Sequence, residues 1–210
     1  MLLLPSALGK VKMDVYAMSK CPETWLPHYG LNKWGLQLLV YDNENEVDLR
    51  FNYIGKLNNT SKYGVECLHG DIGKHSLVKS LCVQKNADAS TTLQFVLCQN
   101  NSPRRIGGYA LFAECLRAVP NWYAAIRCAT GSEGTKLLQN SVSETQHSDI
   151  KTSLTLALNG QKRCIYDSGH WVTPKDGCPG GGSVPLFGKS IRELGAGQQP
   201  QQQPAPSPAQ

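Results

Sequence analysis

From Val11 to Met18 apolar Val11, Met13, Val15 and Ala17 alternate with Lys12, Asp14, Tyr16 and Met18. A period of two is the signature of a β-strand with two unlike faces. Val47, Leu49, Phe51 and Tyr53 alternate in the same way with Asp48, Arg50 and Asn52, predicting a second strand that ends near Gly55. Between these strands Pro22 suits the first position of a helix, and Trp25, Leu31, Trp34, Leu36, Leu38 and Leu39 supply apolar mass through about Tyr41. Pro27 and Gly30 kink or delay that helix, and the three pieces make a β-α-β unit.

From about Asp71 to Gln146 the strand period disappears. Apolar residues recur at helical spacing in short segments punctuated by Asn, Pro and Gly: Leu77, Leu81 and Cys82; Leu93, Val96 and Leu97; Tyr109 to Leu116; Trp122 to Cys128; Leu137 and Leu138. Two β-type runs follow, separated by Asn159-Gly160, the residue chemistry of a type I′ hairpin turn with positive φ at both central positions. Residues 188–194 read as a short closing helix, and the Pro- and Gln-rich stretch from Gly195 as a disordered tail.

This order is that of an α/β, thioredoxin-like fold with a helical insertion, about 71–146, between the β-α-β unit and the C-terminal β-hairpin. The expected organisation is an N-terminal segment over 1–10, a domain over 11–194 and the tail over 195–210. Met1–Gly9 reads either as a remnant signal peptide or as a disordered start; it lacks a basic beginning and a full-length apolar centre. No apolar run approaches the roughly 18 residues of a membrane span.

The 210 residues carry 21 Lys and Arg against 16 Asp and Glu, but the basic residues never form a run that would track a phosphate backbone, which argues against a nucleic-acid partner. Eight cysteines, at 21, 67, 82, 98, 115, 128, 164 and 178, change the picture more. They form no Cys-x-x-Cys pair suited to zinc, and Cys67, His69, His75 and Cys82 lack the short paired spacing of structural metal sites, so no metal and no cofactor is expected. The count fits an oxidising compartment. Sequons at Asn58, Asn59 and Asn100 agree with it.

Cys21 follows the first strand and precedes the predicted helix, where orphan backbone N–H groups favour a thiolate. Its alternative is a buried or bridged structural cysteine. With Cys21 set aside, seven cysteines allow at most three bridges and leave one thiol over. Cys164 and Cys178 are the first candidate pair, Cys67 and Cys82 another; Cys98, Cys115 and Cys128 cannot be apportioned by sequence. His170 and Trp171 read as loop residues, with a place beside Cys21 as the alternative.

The segment "CLHGDIGKHSLVKSLC", Cys67 to Cys82, resembles the signature Cys-Gln-His-Gly-x-x-Glu-Cys-x-x-Asn-x-x-x-x-Cys of the gamma-interferon-inducible lysosomal thiol reductase (GILT) family, most closely its fungal GILT-like members. Cys67, His69, Gly70 and Cys82 match; Gly73, Lys74 and Leu77 stand where the family has Glu, Cys and Asn. "MSKCP", "RCATGSEGTKLLQNS" and "NGQKRCIYDSGHW" resemble further family segments in the right order. The resemblance implies thiol–disulfide exchange on protein disulfides in a secreted, lysosomal or vacuolar setting, with Cys21 as attacking thiol and Pro22 beside it. Family members carry a second cysteine three positions on, and Thr24 occupies that place. A mixed disulfide on Cys21 then waits for an external thiol such as glutathione. Thioredoxin-type folds also place a cis-proline before the hairpin, where this chain has Ser153-Leu154-Thr155. Two further readings stay open: an inactive homologue that binds cysteine-containing partners, and a purely structural disulfide-stapled module.

Overall fold

The computed structural model describes residues 10–21, 46–168, 170–172 and 184–197. The predicted helix from Pro22 to Tyr41, with Thr24, Trp25 and Trp34, lies outside the described residues, as do Cys178, the segment 1–9 and the tail beyond 197.

Strands β1 (Val11–Ala17) and β2 (Val47–Tyr53) pair in parallel, Val11 opposite Val47 through Ala17 opposite Tyr53. Two short strands follow, β3 (Lys56–Leu57) and β4 (Val65–Glu66), paired with each other. Five helices come next: α1 (Gly70–Asn86), α2 (Ala89–Asn100), α3 (Tyr109–Cys115), α4 (Trp122–Thr130) and α5 (Ser132–His147). The chain then returns to the sheet as β5 (Thr155–Leu158), β6 (Gln161–Asp167) and β7 (His170–Val172), and α6 (Val184–Gly197) follows. The sheet order is β2-β1-β5-β6-β7, and among the described strands β1 and β2 pair in parallel and the other neighbours antiparallel.

Asn159 and Gly160 close the β5–β6 hairpin with φ of 48° and 78°, a backbone that Asn and Gly adopt at least cost. Asn159 also ties the hairpin to β1, its Oδ1 accepting from the Lys12 N–H at 2.9 Å and its own N–H donating to the Lys12 carbonyl at 2.8 Å.

Val11, Met13, Val15 and Ala17 pack with Leu77, Val78, Leu81, Leu138 and Val142 into the main core. The other face of β1 is covered as well. Tyr16 packs with Ile150 and Ala157, and Asp14 is 1 % exposed, its carboxylate accepting from Asn52 Nδ2 at 2.9 Å with the Lys12 ammonium at 3.5 Å. Alternation therefore marked the strand but not the burial of its polar face. β2 lies at the edge of the five-stranded sheet, and side chains cover its backbone groups. Gln84 accepts from the Phe51 N–H at 2.6 Å and donates to its carbonyl at 3.3 Å, while Ser141 Oγ accepts from the Tyr53 N–H at 2.9 Å.

The insert carries a core of its own around Phe95 and Phe112, whose rings meet edge-on at 5.9 Å. Bridges Cys82–Cys128 and Cys98–Cys115 staple it. Gly134, in the first turn of α5, permits the closest approach: a Cβ there would stand 2.6 Å from Val78 Cγ1 and 2.8 Å from the Cys128 carbonyl.

Three expectations change. Cys67 does not pair with Cys82, because the Gly70–Asn86 helix turns Cys82 into the core against Cys128 and leaves Cys67 in the loop before it. The closing helix starts at Val184 and runs through Gly195, which is buried against Val11, because Phe187 and Ile191 continue an apolar face onto β1. His170 and Trp171 lie on β7, which β5 and β6 separate from β1.

Candidate functional site

β1 points its C-terminal end at a tight turn. The Cys21 N–H donates to the Met18 carbonyl at 3.3 Å, and Lys20 takes φ of 61°, so the chain reverses between Met18 and Cys21. Cys21 is a free thiol, part exposed. It is not bridged, as the structural-module reading had required.

The start of β5 faces this turn. Ser153 Oγ accepts from the Met18 N–H at 3.0 Å, and the Ser153–Leu154 peptide bond is cis. The place where proline was missed thus carries a cis bond without proline. Leu154 and Tyr166 exchange backbone hydrogen bonds at 3.2 and 2.8 Å, extending the hairpin ladder to the loop. Ser153 is a residue that sequence reasoning named only by position. Its buried hydroxyl, beside the strand end it holds, has no sequence signature of its own.

The third component is the signature segment. The Gly70 N–H donates to the Cys67 carbonyl at 3.1 Å, closing a turn at whose end Gly70 takes φ of 67°. A left-handed residue before a helix is a place for glycine, which accounts for that matched position. His69 precedes α1 without capping it. Gly73, where the family has Glu, sits against the β1 turn: a Cβ there would lie 3.6 Å from Ser19 Cβ and 3.5 Å from His69 Cβ. Lys74, where the family has Cys, is 4 % exposed, and its ammonium meets the Asp71 carboxylate at 2.6 Å. That contact holds Asp71 below the usual carboxylate range. Leu77, where the family has Asn, is core.

Cys67 is the second free thiol among the described residues and is part buried. Burial pushes it up to about 11, the Lys74 ammonium pulling the other way and Glu66 adding to the rise. Its sulfur lies 3.4 Å from where a Gly55 Cβ would stand. It lines a cleft of about 630 Å³ together with Met18, Ile54, Gly55, Leu68 and Ile150, and Leu68 is 79 % exposed at its rim. Burial also lowers His75, which meets the Tyr63 ring edge-on at 5.4 Å.

The remaining candidates lie apart. Cys82, Cys98, Cys115 and Cys128 are bridged within the insert, and Cys164 is bridged to a partner outside the described residues. Asn58 and Asn59 follow β3, where Asn58 Oδ1 accepts from the Thr60 N–H at 3.0 Å and its hydroxyl at 2.7 Å; Asn100 ends α2. Pro22 and Thr24, immediately beyond Cys21, lie outside the described residues.

A thiol after the first of two parallel strands, facing the first strand of an antiparallel hairpin, defines a thioredoxin-like protein. The fold resembles solved structures of reduced DsbA1 from Neisseria meningitidis (TM-score 0.56, 13 % identity, 93 % of this chain and 91 % of that one) and a putative protein disulfide isomerase from Nitrosomonas europaea (0.55, 7 %, 91 % and 100 %). It also resembles reduced DsbA from Mycobacterium tuberculosis (0.54, 12 %, 92 % and 87 %). At these identities the likeness is one of fold. The family model described as gamma interferon inducible lysosomal thiol reductase (GILT) matches residues 12–119, and the chain belongs to that family. No curated protein matches it in sequence.

Proposed function

We propose that this protein is a thiol–disulfide oxidoreductase of protein disulfides that attacks through Cys21, with Thr24 in place of a resolving cysteine. The observation that carries the reading is the free, part-exposed Cys21 thiol at the end of β1 in a GILT-family chain. The Cys21 thiolate attacks one sulfur of a substrate disulfide; a Cys21–substrate S–S bond forms, the substrate S–S bond breaks, and the departing thiolate takes up a proton. A glutathione thiolate then attacks the Cys21 sulfur and expels the second substrate thiol. A second glutathione releases Cys21 and leaves as oxidised glutathione, so two electrons pass from two thiols to one disulfide. Secretion or delivery to a lysosomal or vacuolar lumen, with glycans at Asn58, Asn59 or Asn100, accords with the three bridges' need for an oxidising route. No helix among the described residues is long and apolar enough to cross a membrane.

Reduction of a disulfide-bonded protein such as insulin tests this. Wild type is expected to turn over in proportion to glutathione, and Cys21→Ser to fall to the uncatalysed rate. Equal rates for the two would remove the reading and leave the binding-only homologue.

A further inference from the structure

We propose that Cys67 is a resolving thiol for Cys21, supplied from the loop before α1 in place of the cysteine absent at position 24; this rests on the reading of Cys21 as the attacking group. Two free thiols, each beside a tight turn, belong to segments that cross at the end of β1. Cys21 is hydrogen-bonded back to Met18, which places their Cα atoms within about 7 Å. Met18 and Cys67 line the same cleft. On the other side of the crossing, Ser19 and His69 converge on Gly73, both within contact of the position of its missing Cβ. The turn that leads into Cys21 is therefore packed against the loop of Cys67 at Met18 and at Ser19. Ser19 Oγ and His69 Nε2 at this crossing are sealed from solvent without a hydrogen-bond partner, so polar capacity is left unused there.

Cys67 sits on a loop rather than in a strand or helix. Residues 67–69 lie between the end of β4 at Glu66 and the start of α1 at Gly70, outside the ladder of either element. A disulfide needs Cα atoms about 4.4–6.8 Å apart, and the 21–67 bridge requires the two loops to reach that separation. Burial keeps Cys67 protonated in the resting protein, which makes it the second thiol to act rather than the first, and the Lys74 ammonium favours its thiolate when it does.

The step balances. Cys67 gives its proton to solvent and its sulfur attacks Cys21 Sγ in the mixed disulfide; a Cys21–Cys67 bond forms, the Cys21–substrate bond breaks, and the substrate leaves as a thiolate that is protonated. A low-molecular-weight thiol such as glutathione then reduces the 21–67 bridge.

The experiment uses the intact protein with 5,5′-dithiobis(2-nitrobenzoate) in place of substrate and no other thiol. At one equivalent of reagent, wild type is expected to release about two nitrothiobenzoates, the first from attack and the second from resolution. Peptide mapping is expected to find Cys21 joined to Cys67. Cys67→Ser and Cys67→Ala should each stop at about one and keep the adduct on Cys21. A wild-type protein that keeps a stable adduct on Cys21 and shows no 21–67 peptide overturns the resolving role, leaving attack by Cys21 intact. This wild-type result does not depend on either variant folding. Release unchanged in Cys21→Ser would instead overturn the reading of Cys21 on which the proposal rests.

Discussion

The insert and the turn after β1 use the same side chain to opposite ends. In the insert Cys82, Cys98, Cys115 and Cys128 are joined in two bridges, and three of the four are buried to within 2 %. Cys21, after β1, and Cys67, in the loop before α1, are free, part exposed and carried on turns. Cysteine fate is set here by backbone. Helices that hold Cα atoms 5.6 and 5.7 Å apart turn thiols into staples. Turns leave them unbridged and available for exchange.

The largest expected effect separates the two regions directly. Cys21→Ser should reduce glutathione-dependent turnover to background without lowering the melting temperature by more than a degree or two, since a part-exposed thiol contributes little burial. Opening a staple should do the reverse. Cys82→Ala with Cys128→Ala removes a bridge across 46 positions, a loss of about 4 kcal/mol. That corresponds to roughly 8–16 °C in calorimetric melting temperature for a chain of this length. The same pair of changes at Cys98 and Cys115, 17 positions apart, should cost about 3 kcal/mol. Both double variants should retain turnover below their melting temperatures; loss of turnover while still folded would erase the division between stapled and reactive regions.

A smaller effect tests the packing behind the first staple. In Gly134→Ala the new Cβ meets Val78 and the Cys128 carbonyl closer than real contacts allow, so α1 or α5 must shift, at about 1–3 kcal/mol in denaturant titration. Gly160→Ala, in open space but at φ of 78°, should cost only about 1 kcal/mol and leave turnover unchanged. The alkylation rate of Cys67 should climb with pH toward about 11, the thiolate being scarce below that. The sign for stability follows: the folded state holds this proton more tightly than the unfolded one, so the contribution of Cys67 is full below the ordinary thiol range and is lost as pH rises toward about 11.

Much of the frame was legible because it rests on local rules. Period-two alternation located β1 and β2, Asn159-Gly160 located the hairpin, and helical spacing located the insert. What escaped depends on contacts distant in sequence. The β3–β4 pair is two residues long on each side and sits where Gly55 lets the chain approach the Glu66 carbonyl, too short for any periodic signal. The Cys82–Cys128 bridge depends on the packing of α1 against α4, and signature spacing alone suggested Cys67 instead. The cis bond at Ser153–Leu154 has no proline to announce it. At the site, Cys21 was legible from its place after a strand, whereas the exposure of Cys67 to a cleft shared with Met18 required the fold.

The central claim is that the turn after β1 carries reactive thiol while the insert carries only staples. Its most direct test is brief alkylation of the native, unreduced protein at neutral pH, followed by denaturation, reduction with a second label and peptide mapping. The account predicts the first label on Cys21 and the second on Cys82, Cys98, Cys115, Cys128 and Cys164. The first label absent from Cys21, with that residue recovered in a bridge, would contradict it.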